Sequence, residues 1–257
     1  MKELDINKEY NNGGSLYLED GYLYKVYDEV SYFRDEKERN IKFLMNNSVP
    51  NTPKIYKMLY KNNEFNGYVM EYIEGTMTFR DGMKQEISFS DKIKAILDVY
   101  ETLKVLHSYN ICIGDIHLSN FLYKDGHGYV IDLDEIRYPE DNFKFRERYL
   151  VKDNIKSVPS KQASFITDNI KVCICCLSFL YNIDLENIIC KYSLKSVRII
   201  LKFLTSGEEY KEISKVLDVN KLCYFDDILV NRVNKLRVLI VYSFILYLMA
   251  TYFLVIL

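Results

Sequence analysis

The feature that most restricts the fold is a change of hydrophobic period near residue 90. Before it, apolar residues alternate. SLYLEDGYLYKVY (15–27) is rich in Tyr, Leu and Val and is broken once by Glu-Asp-Gly, the pattern of a β-hairpin. KIYKMLYKN and NGYVMEYI form a second such pair. Between the pairs, residues 29–47 set Phe33, Ile41, Phe43 and Leu44 among charges, as a helix with a polar face does. VPNTP then forces an extended or turn conformation, because residues before proline avoid the helical region. From Ser90 to Ser108 the spacing becomes helical, with Ile93, Ile96, Leu97, Tyr100, Leu103 and Leu106 on one stripe and Ser90 as the expected N-cap. A hairpin ending in YVIDLDE and an irregular charged stretch (136–164) come next. Helical segments are expected at 167–183, 193–206, 208–217 and 225–236. The chain is therefore expected to be α+β, with a small β-rich front (1–72) and a larger helical back (73–236). The two join at MEYIEG as lobes around a cleft, where ligands commonly bind.

Bulk properties narrow the function. At 49% hydrophobic and 27% charged, the 257 residues can bury a sizeable core. A formal charge of −2 and the absence of a basic run argue against a nucleic-acid partner. The six cysteines (Cys112, Cys173, Cys175, Cys176, Cys190 and Cys223) lack the paired CxxC spacing of a zinc site. They read as small buried apolar groups in a reducing compartment. MKELDINKEY is polar, so no N-terminal signal peptide is expected.

The C-terminal end is different. Residues 238–257, VLIVYSFILYLMATYFLVIL, contain no charge, glycine or proline. As a helix they span roughly 30 Å, about one hydrocarbon core. Arg232, Lys235 and Arg237 precede them, which would keep the rest of the chain in the cytoplasm. Two readings stand: a tail anchor (237–257), or a last helix buried in the core or against a partner.

The stretch ICIGDIHLSNFLY (111–123) places Asp115, His117 and Asn120 on one loop between apolar residues, and YVIDLDE brings Asp132 and Asp134 on what reads as the next strand. Phosphoryl transfer needs oxygen ligands for a divalent metal, a carboxylate to meet the attacking hydroxyl, and a cation for the triphosphate. Asp115, Asn120 and Asp132 could supply the first two. Ordinary solvated acids on a polar loop would use the same residues, and from this set alone both readings remain.

The order of the segments resembles the catalytic core of the protein-kinase-like superfamily over about residues 10–230. LHSYNICIGDIHLSNFLY resembles that family's helix end and catalytic loop, and VIDLDE its metal-binding strand end. The resemblance implies Asp115 as catalytic base, Asn120 and Asp132 as metal ligands, and Asp134 as a second acid near the metal. His117 stands where typical protein kinases carry lysine, so it would touch the γ-phosphate or brace the loop. Lys25 in LYKVY resembles the strand lysine that holds the α- and β-phosphates, with Glu38 as its ion-pair partner and Glu36 as the alternative. The turn containing Gly13 and Gly14 resembles a shortened glycine-rich loop. MEYIEG resembles the hinge, with Met70 as gatekeeper and the backbone of Glu71, Tyr72 and Ile73 facing adenine. Asp168 resembles the helix aspartate that ties down the catalytic loop; a helix N-cap or first-turn acid is the other reading.

The chain also departs from the pattern. Ile113 replaces a frequent histidine, Leu133-Asp134-Glu135 follows Asp132 in place of Phe-Gly, and no Ala-Pro-Glu occurs. The resemblance implies an enzyme using ATP and Mg2+ (or Mn2+) to phosphorylate a hydroxyl. A protein Ser/Thr acceptor is favoured by the long segment between Asp132 and Asp168. A small molecule of the aminoglycoside or choline type is the alternative, favoured by Asp-x-His-x-x-Asn. A nucleotide-binding pseudokinase scaffold is the competing class.

Overall fold

The computed structural model describes residues 2–3, 14–28, 34–138, 164–191, 194–205, 207–217, 222, 224–226 and 229. The chain is mixed α+β, with antiparallel strands toward the N-terminus and helices after them. Strands β1 (Lys2–Glu3), β2 (Gly14–Glu19), β3 (Tyr22–Tyr27), β4 (Ile55–Lys61) and β5 (Glu64–Glu71) form a five-stranded sheet in the order β1-β2-β3-β5-β4. Its neighbouring strands are antiparallel. Both expected hairpins are present. β2 turns into β3 through Asp20 and Gly21, at φ 50° and 79°, the left-handed pair that matches strand twist. β4 turns into β5 through Asn62 and Asn63. Gly67 sits opposite Val26 at φ +147°, and a Cβ there would lie 2.1 Å from the Lys25 carbonyl oxygen. Only glycine lets β5 approach the Lys25 strand so closely.

Helix α1 (Arg34–Asn46) lies against this sheet and shares a small apolar cluster with it: Tyr27, Ile41, Phe65, Tyr68 and Met70. The larger cluster belongs to the rest of the chain. There β6 (Met77–Thr78), β7 (Phe121–Lys124) and β8 (His127–Val130) make a three-stranded sheet, with helices α2 (Phe79–Gly82) and α3 (Phe89–Ser108) before its last two strands. Helices α4 (Phe165–Tyr181), α5 (Leu185–Lys191), α6 (Leu194–Leu204) and α7 (Gly207–Val216) follow. α3 buries Ile93, Ile96, Tyr100, Leu103 and Leu106, the stripe its spacing implied. Each such side chain contributes roughly 1.5–3 kcal/mol. Phe79 stacks on Phe179 of α4 at 4.0 Å between centroids. Gly128 lets β8 meet α3, because a Cβ there would lie 2.1 Å from the Ala95 carbonyl oxygen. The connection after α1 is stitched to α3 and β8: Thr102 Oγ1 donates to the Pro50 carbonyl at 2.8 Å, Asn51 Nδ2 to that of Asp98 at 3.0 Å, and the Val130 amide to that of Asn51 at 2.9 Å.

Several expectations need correction. The cap of α3 is Ser88, whose side chain accepts from the Asp91 amide, so the helix starts before Ser90. β6, α2 and α5 were not legible, since elements of two to seven residues are too short to establish a period. β8 ends at Val130, so Asp132 and Asp134 are not on a strand. Asp132 has left-handed φ 63° and ψ 39°, and opens a 3-10 turn, Leu133–Glu135. Most of the expected helix 225–236, most of the irregular stretch 136–164, and all of 238–257 lie outside the described residues. Among the described residues, no helix is long and apolar enough to cross a membrane.

Candidate functional site

The loop from Ile111 to Asn120 is irregular, yet it is held from both sides. Ile111, Ile113, Ile116 and Leu118 are buried in the larger cluster. Asp168, in the first turn of α4 and 1% exposed, accepts from the backbone amides of Ile113 and Gly114. Its Oδ2 also faces His107 Nε2 at 3.4 Å, while His107 Nδ1 meets the Tyr224 hydroxyl at 2.7 Å. Asp168 therefore ties the loop backbone to α4, as the resemblance implied; the N-cap of α4 is Ser164. Glu186 of α5 secures the other end, accepting from the Leu118 amide at 3.3 Å while bound by Arg80 at 2.9 Å. The roles of Arg80 and Glu186, and the contacts of His107 with Asp168 and Tyr224, were not found in the sequence.

Asp115, His117 and Asn120 are brought together on this loop. His117 Nε2 lies 3.7 Å from Asp115 Oδ2, and His117 Nδ1 accepts from the Ser119 amide at 3.3 Å. Burial opposes ionisation of Asp115, but the hydrogen bond and charge of His117, with Lys171 nearby, outweigh it and hold the carboxyl below its ordinary pKa. Asn120 Nδ2 donates to the Asp115 carbonyl at 3.1 Å, which directs its Oδ1 to the opposite side of the amide. The Asn120 carbonyl accepts from the Ile131 amide at 3.0 Å. That bond sets Asp132 beside the loop.

The sheet reaches the same place. Lys25 of β3 pairs with Asp132 and lies 3.1 Å from the Asp134 carboxylate. Asp134 is fully buried, whereas 38% of the Asp132 side chain stays exposed, so only Asp132 is open to a ligand. Tyr27 donates its hydroxyl to Asp134. Lys37 of α1 lies 3.5 Å from Asp134 and 3.2 Å from Glu135, with its ammonium 4.6 Å from the Tyr27 ring centroid. Asn40 Nδ2 donates to the carbonyls of Asp134 and Ile136, both at 2.9 Å. Burial raises the Asp132 pKa against the pull of Lys25, and the charge of Asp134 adds to the rise. Burial acts likewise on Asp134, but Lys25, Lys37 and Tyr27 overcome it and keep that carboxyl ionised. Two lysines thus face Asp132, Asp134 and Glu135, with the Asp115 charge also felt at Asp132.

Other expected positions fall differently. Glu38 is not the partner of Lys25: it binds Lys42 at 2.7 Å and accepts from the Tyr60 hydroxyl at 2.9 Å. Lys25 takes its acids from the 132–134 turn instead, and α1 presents a lysine there. Gly13 lies outside the described residues, and Gly14 pairs with Tyr27 as the first residue of β2. Glu71 ends β5, with its amide donating to the Lys54 carbonyl at 2.8 Å, and Tyr72 follows half-buried. Met70 is buried and lines a cavity of about 400 Å³ with Leu44, Val49, Tyr68, Asp132 and Leu133. Among the described residues, no three His, Cys, Asp or Glu side chains are arranged to hold a metal by themselves. No family model matches the chain, and no curated protein matches it.

Proposed function

We propose that the chain is an ATP- and Mg2+-dependent phosphotransferase with a two-lobed, protein-kinase-like fold, and that its acceptor is a hydroxyl, most simply a protein Ser or Thr. In this reading residues 1–72 bind nucleotide, 73–236 carry the reaction, and 237–257 form an apolar helix that attaches the protein to a membrane from the cytoplasmic side. The observation that carries it is the meeting of Lys25 with Asp132 across 107 positions, beside a loop that sets Asp115 next to Asn120. Lysine, base, amide and acid of the expected set are then neighbours, as in-line transfer requires.

The residues fit a divalent cation. Asp132 offers a partly exposed carboxylate on a turn that sets three acids, Asp132, Asp134 and Glu135, against two lysines, and a cation would offset the remaining negative charge. Asn120 and Asp132 would hold Mg2+, which would supply positive charge to offset that of the phosphates. Asp134, bound by two lysines and Tyr27, fixes Lys25 rather than ligating metal. Asp115, ionised and reachable, would orient the acceptor hydroxyl and take its proton, while His117 braces it.

ATP turnover with Mg2+ tests the proposal. Asp132→Asn is expected to weaken Mg·ATP binding. Asp115→Asn is expected to bind normally and lose roughly 10²–10⁴-fold in rate. Equal loss of binding in both would contradict these roles. Wild type with no transfer or hydrolysis above the variants would leave the second reading, a nucleotide-binding scaffold, which the replacement of Phe-Gly after Asp132 favours.

A further inference from the structure

The turn that presents Asp132 is anchored at its two ends by the backbone. Upstream, the Ile131 amide donates to the Asn120 carbonyl at 3.0 Å. Downstream, Cys112 and Arg137 exchange amide–carbonyl bonds of 2.7 and 2.8 Å. Between these anchors Asp132 holds left-handed φ, a conformation that Asp adopts more readily than most residues. Lys25 reaches Asp132 and Asp134 directly, and Tyr27 reaches Asp134. The other side chains gripping the turn come from α1. Asn40, fully buried, ties two alternate carbonyls, those of Asp134 and Ile136. Lys37, one helical step before it, spans the carboxylates of Asp134 and Glu135. Neither touches Asp132.

We propose that Lys37 and Asn40 are positioning residues for Asp132: α1 clamps the 133–136 turn and so presents the Asp132 carboxylate to a divalent cation. The inference rests on the phosphotransferase reading and assigns α1 a role opposite in charge to the one expected of Glu38. The helix acts on the site through a lysine and an amide, and the acid that steadies Lys25 sits on the turn. Moving α1 away would release Asp134 and Glu135 together. Among the described residues, it would also leave Lys25 as the one charged partner of both aspartates.

The test uses the full chain with Mn2+ and ATP as probes, comparing wild type with Lys37→Gln, Lys37→Arg and Asn40→Ser. Mn2+ binding in the presence of ATP is read by paramagnetic resonance, and amide exchange over 133–136 is read without metal. Lys37→Gln and Asn40→Ser are expected to weaken Mn2+ binding about 10–100-fold, the range for losing a group that orients a metal ligand. Lys37→Arg is expected to recover most of it. The same two variants should speed exchange over 133–136 before any metal is added, which separates positioning from a loss of nucleotide. If Lys37→Gln does not fold, Asn40→Ser carries the same comparison. A folded variant with wild-type Mn2+ affinity and unchanged exchange overturns the clamp and leaves the phosphotransferase reading standing. Wild type that binds no Mn2+ with ATP overturns both.

Discussion

Asp134 is the residue on which the charges of the site converge. Its carboxylate meets two lysines and a tyrosine hydroxyl, with no exposed surface. Removing one partner of such a set leaves the others buried and uncompensated. Asp134→Asn is therefore expected to destabilise the protein by about 3–5 kcal/mol, read as a lower urea midpoint at pH 7. A loss under about 1 kcal/mol, the range of surface pairs, would mean that water reaches Lys37 and that the pairing is weak. Asp115, Asn120 and Asp132 stood out in the sequence because they lie within eighteen positions of one another, and Asp168 because its place after them resembles that of the proposed family. The sequence did not announce Lys37 and Asn40, whose partners lie some 94 positions away. A signal existed all the same. Positions 37, 40, 41 and 44 share one helical face, and Ile41 marks that face as inward, whereas Glu38 lies about 100° around the helix. Choosing the helix's acid by charge, without asking which face is buried, gave the wrong partner for Lys25.

At the scale of elements, one glycine and one cysteine-rich helix carry consequences. Gly128 brings β8 against α3, and Gly128→Ala would push a Cβ into the Ala95 carbonyl. A loss of about 1–3 kcal/mol is expected, seen as a lower thermal midpoint, since backbone on both sides must move. An unchanged midpoint would show that the hairpin slides freely on α3. Helix α4 buries Cys173, Cys175 and Cys176, and Cys112 is buried beside it. Burial holds the thiols of Cys112, Cys175 and Cys176 well above their ordinary pKa, so at pH 8 they stay protonated and unreactive. Iodoacetamide should label these four cysteines only after unfolding in urea, as peptide mass analysis would record; labelling in the native protein would mean that α4 opens. The hairpins and α3 were readable because alternation, Asp-Gly and a twenty-residue helical stripe are strong periodic signals. The position of Asp132 was not, because the apolar run Tyr129–Ile131 suits a strand beyond the point where strand pairing stops at Val130.

For the whole molecule, the two apolar clusters explain why the change of period near residue 90 was informative. One cluster serves a sheet with a single helix, and the other serves helices around a small sheet. The stitching of 50–52 to α3 and β8 was not legible from periodicity, since Asn51 and Thr102 look like surface polar residues in one dimension. The apolar segment 238–257 makes a prediction at this scale as well. Deleting it is expected to move the protein from the membrane pellet to the soluble fraction with the fold of the remaining chain intact, read as an unchanged thermal midpoint. Unfolding on deletion would assign the segment to the core instead.

The pairing of β3 and α1 with the 132–136 turn also bears on how the chain folds. Tyr27, Lys25 and Lys37 are synthesised about a hundred residues before the acids that complete them, at separations of up to 107 positions. Closing so long a loop costs entropy before any contact repays it. The N-terminal sheet can form its hairpins early, but its inner lysines stay unmatched until the segment after β8 has been made. The emerging chain is therefore expected to pass through a stage in which its first hundred residues hold secondary structure without a settled interior. That stage is the one at which a chaperone would find it.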